Sequence, residues 1–375
     1  MHEKMNFRRA ITLSMILAGA SAMASQIIFM REFLVVFYGN EISVGIILAG
    51  WLIWGAFGSA FLGLLSDRIN ARIRVFSACQ LCLSAVFPVT LMLLRSSRSF
   101  LGMSTGEIMG YYPMLLCTLL VLFLPCSIMG FMFSLTCRIY RDEEKIPAVS
   151  VARIYVMEAV GALSGGLLVS YLLIRYMTPS GILFLLAFLN LSAALMMQRY
   201  GEPFKGKKAV IVATAVLLIL GTGAILAGGG KWFRDVSLER LWSGFSVLGS
   251  KDSVYGNITV TKRGGQRSFY ENGLHLYTVP DLLSAEESVH FTMLQAPDPK
   301  KVLLIGGGVG GRLEEILKYP VKRVDYVELD PTIIKLAEQY LDRTDVVPIK
   351  DPRVNIINED GRFFVKNTDD RYDCV

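Results

Sequence analysis

Charge is scarce in this sequence. Charged residues fill 19% of its 375 positions and apolar residues 53%, where about 25% and about 45–50% are usual in soluble proteins. With a mean hydropathy of +0.47, an ordinary soluble protein is excluded. Cysteine is also without organisation. Of the six cysteines, only Cys79 and Cys82 stand one helical turn apart, with no second pair and no nearby histidine. Packing is the expected role of these thiols, and no metal is expected. The net charge of +6 is better explained by membrane topology than by nucleic acid, so no nucleic-acid partner is expected.

What is abundant is long apolar sequence, and it is unevenly spread. From Ile11 to Gly230 the chain is mostly apolar runs, and from Lys231 to Val375 it reads as a soluble α/β domain. A span needs roughly 20 apolar residues to cross the hydrocarbon core. Seven segments qualify: Ile11–Met30, Ile42–Ser66, Val75–Leu94, Tyr112–Thr136, Ile154–Ile174, Gly181–Met197 and Ala209–Ala227. The first has too long an apolar core for a cleaved signal, and further spans follow it directly.

Positive charge alternates between the connecting segments. One side holds Lys4, Arg8, Arg9, Arg68, Arg72, Arg74, Arg138, Arg141, Lys145, Arg199, Lys205, Lys207 and Lys208; the other holds Arg31, Arg95, Arg98 and Arg175. Thirteen against four puts the N-terminus in the cytoplasm of a multi-pass protein of the cell (inner) membrane. Seven crossings would carry the C-terminal domain to the far side, and an eighth or re-entrant segment would instead keep it in the cytoplasm. Glu158 is the acid that falls within a span, with Gly161, Gly165 and Gly166 on the following turns. An ionisable group there is a functional candidate, and the glycines favour close helix approach.

In the soluble half, Asn257–Lys262, Gln266–Glu271 and Leu274–Thr278 read as strands joined by turns at Gly264-Gly265 and Asn272-Gly273. Asn-Gly between alternating segments is a strong hairpin signal. Ser284 with Glu287 reads as a capping box opening a helix to about Gln295. The apolar run Lys301–Ile305 suits a buried parallel strand and feeds Gly306-Gly307-Gly308-Val309-Gly310-Gly311, with a helix over Arg312–Lys318. A second strand, Arg323–Val327, ends at Glu328; Pro331–Leu341 follows as a helix, and Val354–Ile357 as a strand ending at Asp360-Gly361.

That order has a physical meaning. Glycines let the backbone turn and approach a ligand at a helix N-terminus. An acid about 20 residues on, at the next strand's end, can accept both ribose hydroxyl protons. The pattern leaves a dinucleotide and an adenosyl donor both open.

From Ser253 to Val375 the sequence resembles the spermidine synthase family, the aminopropyltransferases, within the wider fold of S-adenosylmethionine-dependent methyltransferases. The residues that carry the likeness are Asn272-Gly273, Asp281, Pro299–Gly308, Tyr326–Asp330, Asp351–Val354 and Glu359–Arg362. Tyr155–Leu168 resembles the apolar half of membrane-bound spermidine synthases. The resemblance implies that Gly306, Gly307, Gly308, Gly310 and Gly311 hold the donor loop, Glu328 its ribose, and Asp360 with Gly361 its adenine. It implies that Asp281 lines the substrate site. It also implies decarboxylated S-adenosylmethionine, or S-adenosylmethionine, as co-substrate, and a small amine as partner.

The chain departs from the family at several positions. Val309 stands where the family's loop has an aspartate, Leu276 where it has a glutamine, and Ala285 and Glu286 where it has tyrosine and histidine. Tyr372–Val375 reads as the opening of a fourth strand, so the chain is expected to be truncated, with its catalytic acid just beyond Val375. The expected fold is a multi-pass α-helical membrane domain (1–230), a β-hairpin subdomain with a linking helix (231–298), and the start of a Rossmann-like nucleoside-binding α/β domain (299–375). The expected function is aminopropyl transfer to putrescine or a related amine. A methyltransferase on a membrane substrate and a non-catalytic nucleoside-sensing transporter stay open, as does homo-oligomerisation; the lipid bilayer is the other expected partner.

Overall fold

The computed structural model describes all residues except Met1, 104–106, 145–146, Glu202 and Phe204. Lys145 and the side chain of Lys4, both counted above among the cationic residues, lie outside what is described. The chain divides into two compact units, Met1–Ser243 and Gly244–Val375.

The first unit is helical. Among the described residues its seven long apolar helices are α1 (Phe7–Phe37), α2 (Glu41–Leu65), α3 (Arg72–Phe100), α4 (Tyr111–Arg141), α5 (Val151–Tyr176), α6 (Pro179–Tyr200) and α7, whose regular part is Lys207–Ala224. Each of the seven is long and apolar enough to cross a membrane. Local chemistry sets their starts. Asn40 caps α2, accepting from the Ser43 amide at 2.7 Å while its own amide donates to Ser43 Oγ. Thr178 caps α6, with Pro179 at the first helical position.

Glycines decide which helices touch. A Cβ on Gly19 would strike the Glu158 carbonyl, and one on Gly161 the Ile16 carbonyl, so α1 and α5 meet backbone to backbone. Gly58 and Gly130 do the same between α2 and α4. Small residues permit this approach, and dispersion then holds the pair. Glu158 itself is half-buried, and among the described residues no hydrogen bond or ion pair reaches its carboxylate.

Two sequence expectations change here. Glu158 is not the sole acid within an apolar helix, because α1 runs seven residues past Met30 and carries Glu32 inside. Nor are Arg95 and Arg98 loop charges, being 3% exposed each. Arg95 forks onto Glu32 through Nε at 2.8 Å and Nη2 at 2.7 Å, and its Nη1 donates to Ser237 Oγ at 2.7 Å. Arg98 donates to the carbonyls of Val36 and Glu107. A charge buried with a bidentate partner has no need to sit in a loop.

Ser237 lies on α8 (Gly230–Leu241), which follows a break at Gly228, whose φ is +103°. The Arg95 bond ties α8 to α3, so the helical unit closes at Ser243, thirteen residues past the expected Gly230 boundary. Composition marked the end of the apolar run, whereas the packed unit extends to the last helix it anchors. Glu32 and Arg95 lie near the C-terminal ends of α1 and α3, which fixes α8 at the end of the bundle opposite the N-terminus. No further helix of spanning length follows among the described residues.

The second unit begins with an antiparallel meander, β1 (Ser246–Asp252), β2 (Asn257–Arg263), β3 (Gln266–Glu271) and β4 (Leu274–Val279), paired in that order. β1 lies before the expected hairpins and is bulged between Val247 and Gly249. Asn272 and Gly273, at φ +48° and +81°, form the tight β3–β4 turn. After α9 (Leu282–Met293) come three parallel strands, β5 (Lys301–Ile305), β6 (Arg323–Val327) and β7 (Val354–Ile357), in the order β5-β6-β7. Between and after them run α10 (Leu313–Leu317), α11 (Pro331–Tyr340) and α12 (Gly361–Asn367). Cys374 forms a parallel bridge with Val302, and its carbonyl accepts from Leu303 at 3.0 Å. The neighbour order is therefore β7-β6-β5-Cys374, reversing direction at β5. Open α/β sheets place ligands at such a switch point.

Replacing Arg95 by alanine would leave the Glu32 carboxylate buried and uncompensated, at a cost of about 3–5 kcal/mol. Thermal unfolding of the detergent-solubilised protein should show that loss. A change below about 1 kcal/mol, the scale of a surface pair, would contradict it.

Candidate functional site

The site starts from one turn. Gly306 donates its N–H to the Val327 carbonyl at 2.8 Å, so the chain leaving β5 bends across the end of β6. Gly306 and Gly307 both have φ +69°, a backbone that residues with a Cβ rarely adopt. Nothing lies within 4 Å of where a Gly306 Cβ would stand, leaving an open cradle above the strand end. Gly308 is needed for a different reason: a Cβ there would sit 2.6 Å from the Tyr326 ring. Gly310 faces Tyr277, and Gly311 faces Ala285. Arg312 pins the loop to α9, donating to the Gly307 carbonyl at 3.2 Å and to Ser288 Oγ at 3.1 Å.

Three strand ends converge beside this loop. The Glu328 amide donates to the Ile357 carbonyl at 2.9 Å, and Gly361 is so close to Ile305 that a Cβ would lie 2.5 Å from its side chain. Glu328, 6% exposed, accepts from the Tyr326 hydroxyl at 2.6 Å and from the Asp330 amide at 3.4 Å. Burial raises its pKa, with the Tyr326 hydrogen bond opposing in part. Glu271, at the end of β3, is also raised, first by burial and then by the charges of Asp330 and Glu328. Asp330 accepts from Thr332 N at 2.9 Å and from the Ser253 hydroxyl at 2.5 Å, joining the meander's first turn to α11. This acidic group, half-buried or deeper, favours a ligand with positive charge.

Asp360 caps α12, its Oδ1 accepting from Arg362 N at 2.8 Å and Phe363 N at 3.0 Å. Its Oδ2 is left free among the described residues. Asp281 is likewise a cap. It opens α9, accepting from Ser284 N at 3.2 Å and from the Ser284 hydroxyl at 2.7 Å, and these bonds hold its pKa below the usual carboxylate value. The expected Ser284–Glu287 box is therefore corrected: Ser284 is the third helical residue, and the cap lies three positions earlier.

Asp281 lines a cavity of about 80 Å³ together with Ala285, Gly308–Gly311 and Glu315. That is small beside the roughly 300–1,000 Å³ of sites that enclose a drug-sized ligand. Val309 also borders this cavity, yet it is 2% exposed and belongs to the same buried apolar core as Phe269, Tyr277, Val289 and Met293. The structure thus brings the glycine loop, Glu328, Asp360 and Gly361 to the strand ends and sets Asp281 at the loop's other side.

Sequence reasoning missed Glu271, Tyr326 and Tyr277. Tyr277 stacks on Phe269 at 4.8 Å between ring centroids, and its buried hydroxyl has no hydrogen-bond partner among the described residues. Glu271 had one signal, standing directly before the Asn-Gly turn.

Residues 283–375 match the model of the spermine/spermidine synthase domain. Over these residues the chain is similar to a spermine/spermidine synthase domain. Its homologues are polyamine aminopropyltransferases, which are transferases. The one from Korarchaeum cryptofilum is 35% identical over 133 residues, covering 35% of this chain and 41% of that protein. Polyamine aminopropyltransferase 2 of Aquifex aeolicus is 27% identical over 256 residues, covering 66% and 50%. That stretch is longer than the unit from Gly244 to Val375, so the likeness reaches into the helical unit. Among solved structures, spermidine synthase from Thermotoga maritima is 31% identical, covers 34% of this chain and 46% of its own, and gives a TM-score of 0.32. The chain spans about half or less of the length of these relatives.

Because Val309 is core as well as loop, Val309→Asp should not restore a family-like site. It would bury a charge in the apolar core to which Val309 belongs, costing several kcal/mol. A clear drop in melting temperature is expected, and a variant as stable as the parent would show that the position faces solvent.

Proposed function

We propose that this protein is a membrane-embedded aminopropyltransferase-like transferase. Its donor would be decarboxylated S-adenosylmethionine, and its acceptor putrescine or a related amine. The observation that carries the reading is the turn at Gly306-Gly307 opening beside Glu328 at the switch point of the sheet. The residues present fit an adenosyl group. The cradle over Gly306 is open, the Tyr277 hydroxyl is buried without a partner in the field of the Glu328 carboxylate, and Asp360 keeps one oxygen free.

In this reading the loop amides face the donor, Glu328 accepts the ribose hydroxyls, and Asp360 Oδ2 meets the adenine amino group. The acids Glu271, Glu328 and Asp330 supply a negative field for a cationic ligand. The donor brings a carbon activated by its sulfonium, and orientation of the amine toward that carbon is the work left to the protein. Val309 favours one second reading, methyl transfer from S-adenosylmethionine, since an apolar side chain cannot hold the aminopropyl ammonium.

Calorimetry of the detergent-solubilised protein separates the two. Tighter binding of the decarboxylated donor is expected. Equal or weaker binding than S-adenosylmethionine would move the assignment to methyl transfer, and binding of neither would overturn both. Glu328→Gln should weaken donor binding at least about tenfold, as expected for lost hydrogen bonds to a charged group.

The same change should stabilise the ligand-free protein near neutral pH. A carboxyl whose pKa is raised on folding contributes its stability below the ordinary carboxylate pKa and loses it as pH rises through the folded value. Donor affinity should fall on acidification, starting above the ordinary carboxylate range, as Glu328 takes a proton. A variant that binds normally, or one that binds poorly because it is unfolded, would refute this role.

The helical unit, in the same proposal, crosses the cell membrane seven times with its N-terminus in the cytoplasm. Burial of Arg95 and Arg98, with Arg95 neutralised by Glu32, supports the charge bias behind that orientation. Seven crossings carry the soluble unit to the opposite face, which makes donor supply at that face part of the proposal. A topology reporter fused after Ser243 should read extracytoplasmic, and a cytoplasmic reading would overturn the count of seven.

A further inference from the structure

We propose that Glu286, His290 and Glu315 form a binding site for a divalent transition metal of the zinc class, clasping α9 to α10 beside the glycine loop. This departs from the sequence expectation of no metal. It does not depend on the donor reading.

Glu286 and His290 are one helical turn apart on α9 and face Glu315 on α10. One ligand atom from each of the three lies within 4.8 Å of the others. His290 Nε2 and Glu315 Oε2 are already 3.2 Å apart. Two donors at about 2.0–2.2 Å from a tetrahedral zinc stand roughly 3.4 Å from each other, so this edge of the site is formed. Only Glu286, half-buried on a flexible side chain, has to draw in. One imidazole and two carboxylates are a donor set that zinc accepts, with water completing the shell.

Two details suit a site that binds and releases a metal. Glu315 is 1% exposed, an uncommon place for a carboxylate unless cations surround it. Lys318 provides one, with Nζ 2.6 Å from each carboxylate oxygen, and half of its side chain is exposed, so it is free to swing away. His290 Nδ1 lies 2.8 Å from the Tyr319 hydroxyl. A hydroxyl both donates and accepts. Without metal, His290 can donate from Nε2 to Glu315 while Nδ1 accepts from Tyr319. With metal, Nδ1–H donates to Tyr319 and Nε2 turns its lone pair to the ion. Fixing the tautomer of a ligating histidine through its other nitrogen is the usual outer-sphere arrangement at metal sites. Lys318 then competes with the metal for Glu315.

The test titrates metal-free, detergent-solubilised protein with zinc chloride by calorimetry and with cobalt(II) by absorption. One saturable site of micromolar affinity or tighter is expected. Its cobalt spectrum should lack a thiolate charge-transfer band, which separates it from binding at any of the six cysteines. His290→Ala should weaken zinc binding at least about a hundredfold and Glu286→Gln about tenfold. Lys318→Ala should strengthen it, an effect that a merely structural Lys318–Glu315 pair would not give. Glu286→Gln, at a half-buried position, keeps the test decisive if His290→Ala fails to fold. No saturable binding in the parent protein, a thiolate band, or unchanged binding in Glu286→Gln and His290→Ala would overturn the proposal.

Discussion

The soluble unit depends on the hydrogen bond from Gly306 to the carbonyl of Val327. It ends β5 and starts the loop in one step, and it does so at the edge where β6 delivers Glu328. Once that bend is made, the positive φ angles at Gly306 and Gly307 follow, and Gly308 must lack a side chain because the Tyr326 ring lies against it. Tyr326 in turn gives its hydroxyl to Glu328. Loop, strand and acid are thus one mechanical piece, and a change in any member is felt by the other two.

This piece was legible because each part has a local signal. An apolar run, a glycine cluster, a second apolar run and an acid at its end can be read without knowing what packs on them. The Asn272-Gly273 turn was legible for the same reason. β1 was not, since Ser246–Asp252 is neither apolar nor alternating and is held in place by pairing with β2. The start of α9 was misplaced because two residues compete to cap it, and only the structure shows Asp281 accepting from Ser284. In the helical unit, length and hydropathy located the helices, while the Glu32–Arg95 pair stayed hidden. Each of those residues looks like an ordinary charge near a helix end, and their partnership spans 63 positions of sequence.

Val309 shows how one residue can be visible in sequence yet have its meaning set by packing. As a letter it is the departure from the family's loop. In place it is part of the core under the loop, shared with Phe269 and Tyr277 from the meander. Glu328 has the opposite character: burial makes its charge unfavourable for the ligand-free fold, as the proposed role of accepting a ligand's hydroxyls would require. In the proposed reading, the two together describe a site whose nucleoside end is prepared by Glu328 and whose amine end departs from the family's at Val309.

Hydrogen–deuterium exchange of the solubilised protein, with and without decarboxylated S-adenosylmethionine, tests the central claim most directly. The account predicts added protection over Gly306–Gly311 and Glu328–Asp330, absent in the Glu328→Gln variant. Unchanged exchange in both segments at saturating donor, or protection confined to other parts of the chain, would contradict it.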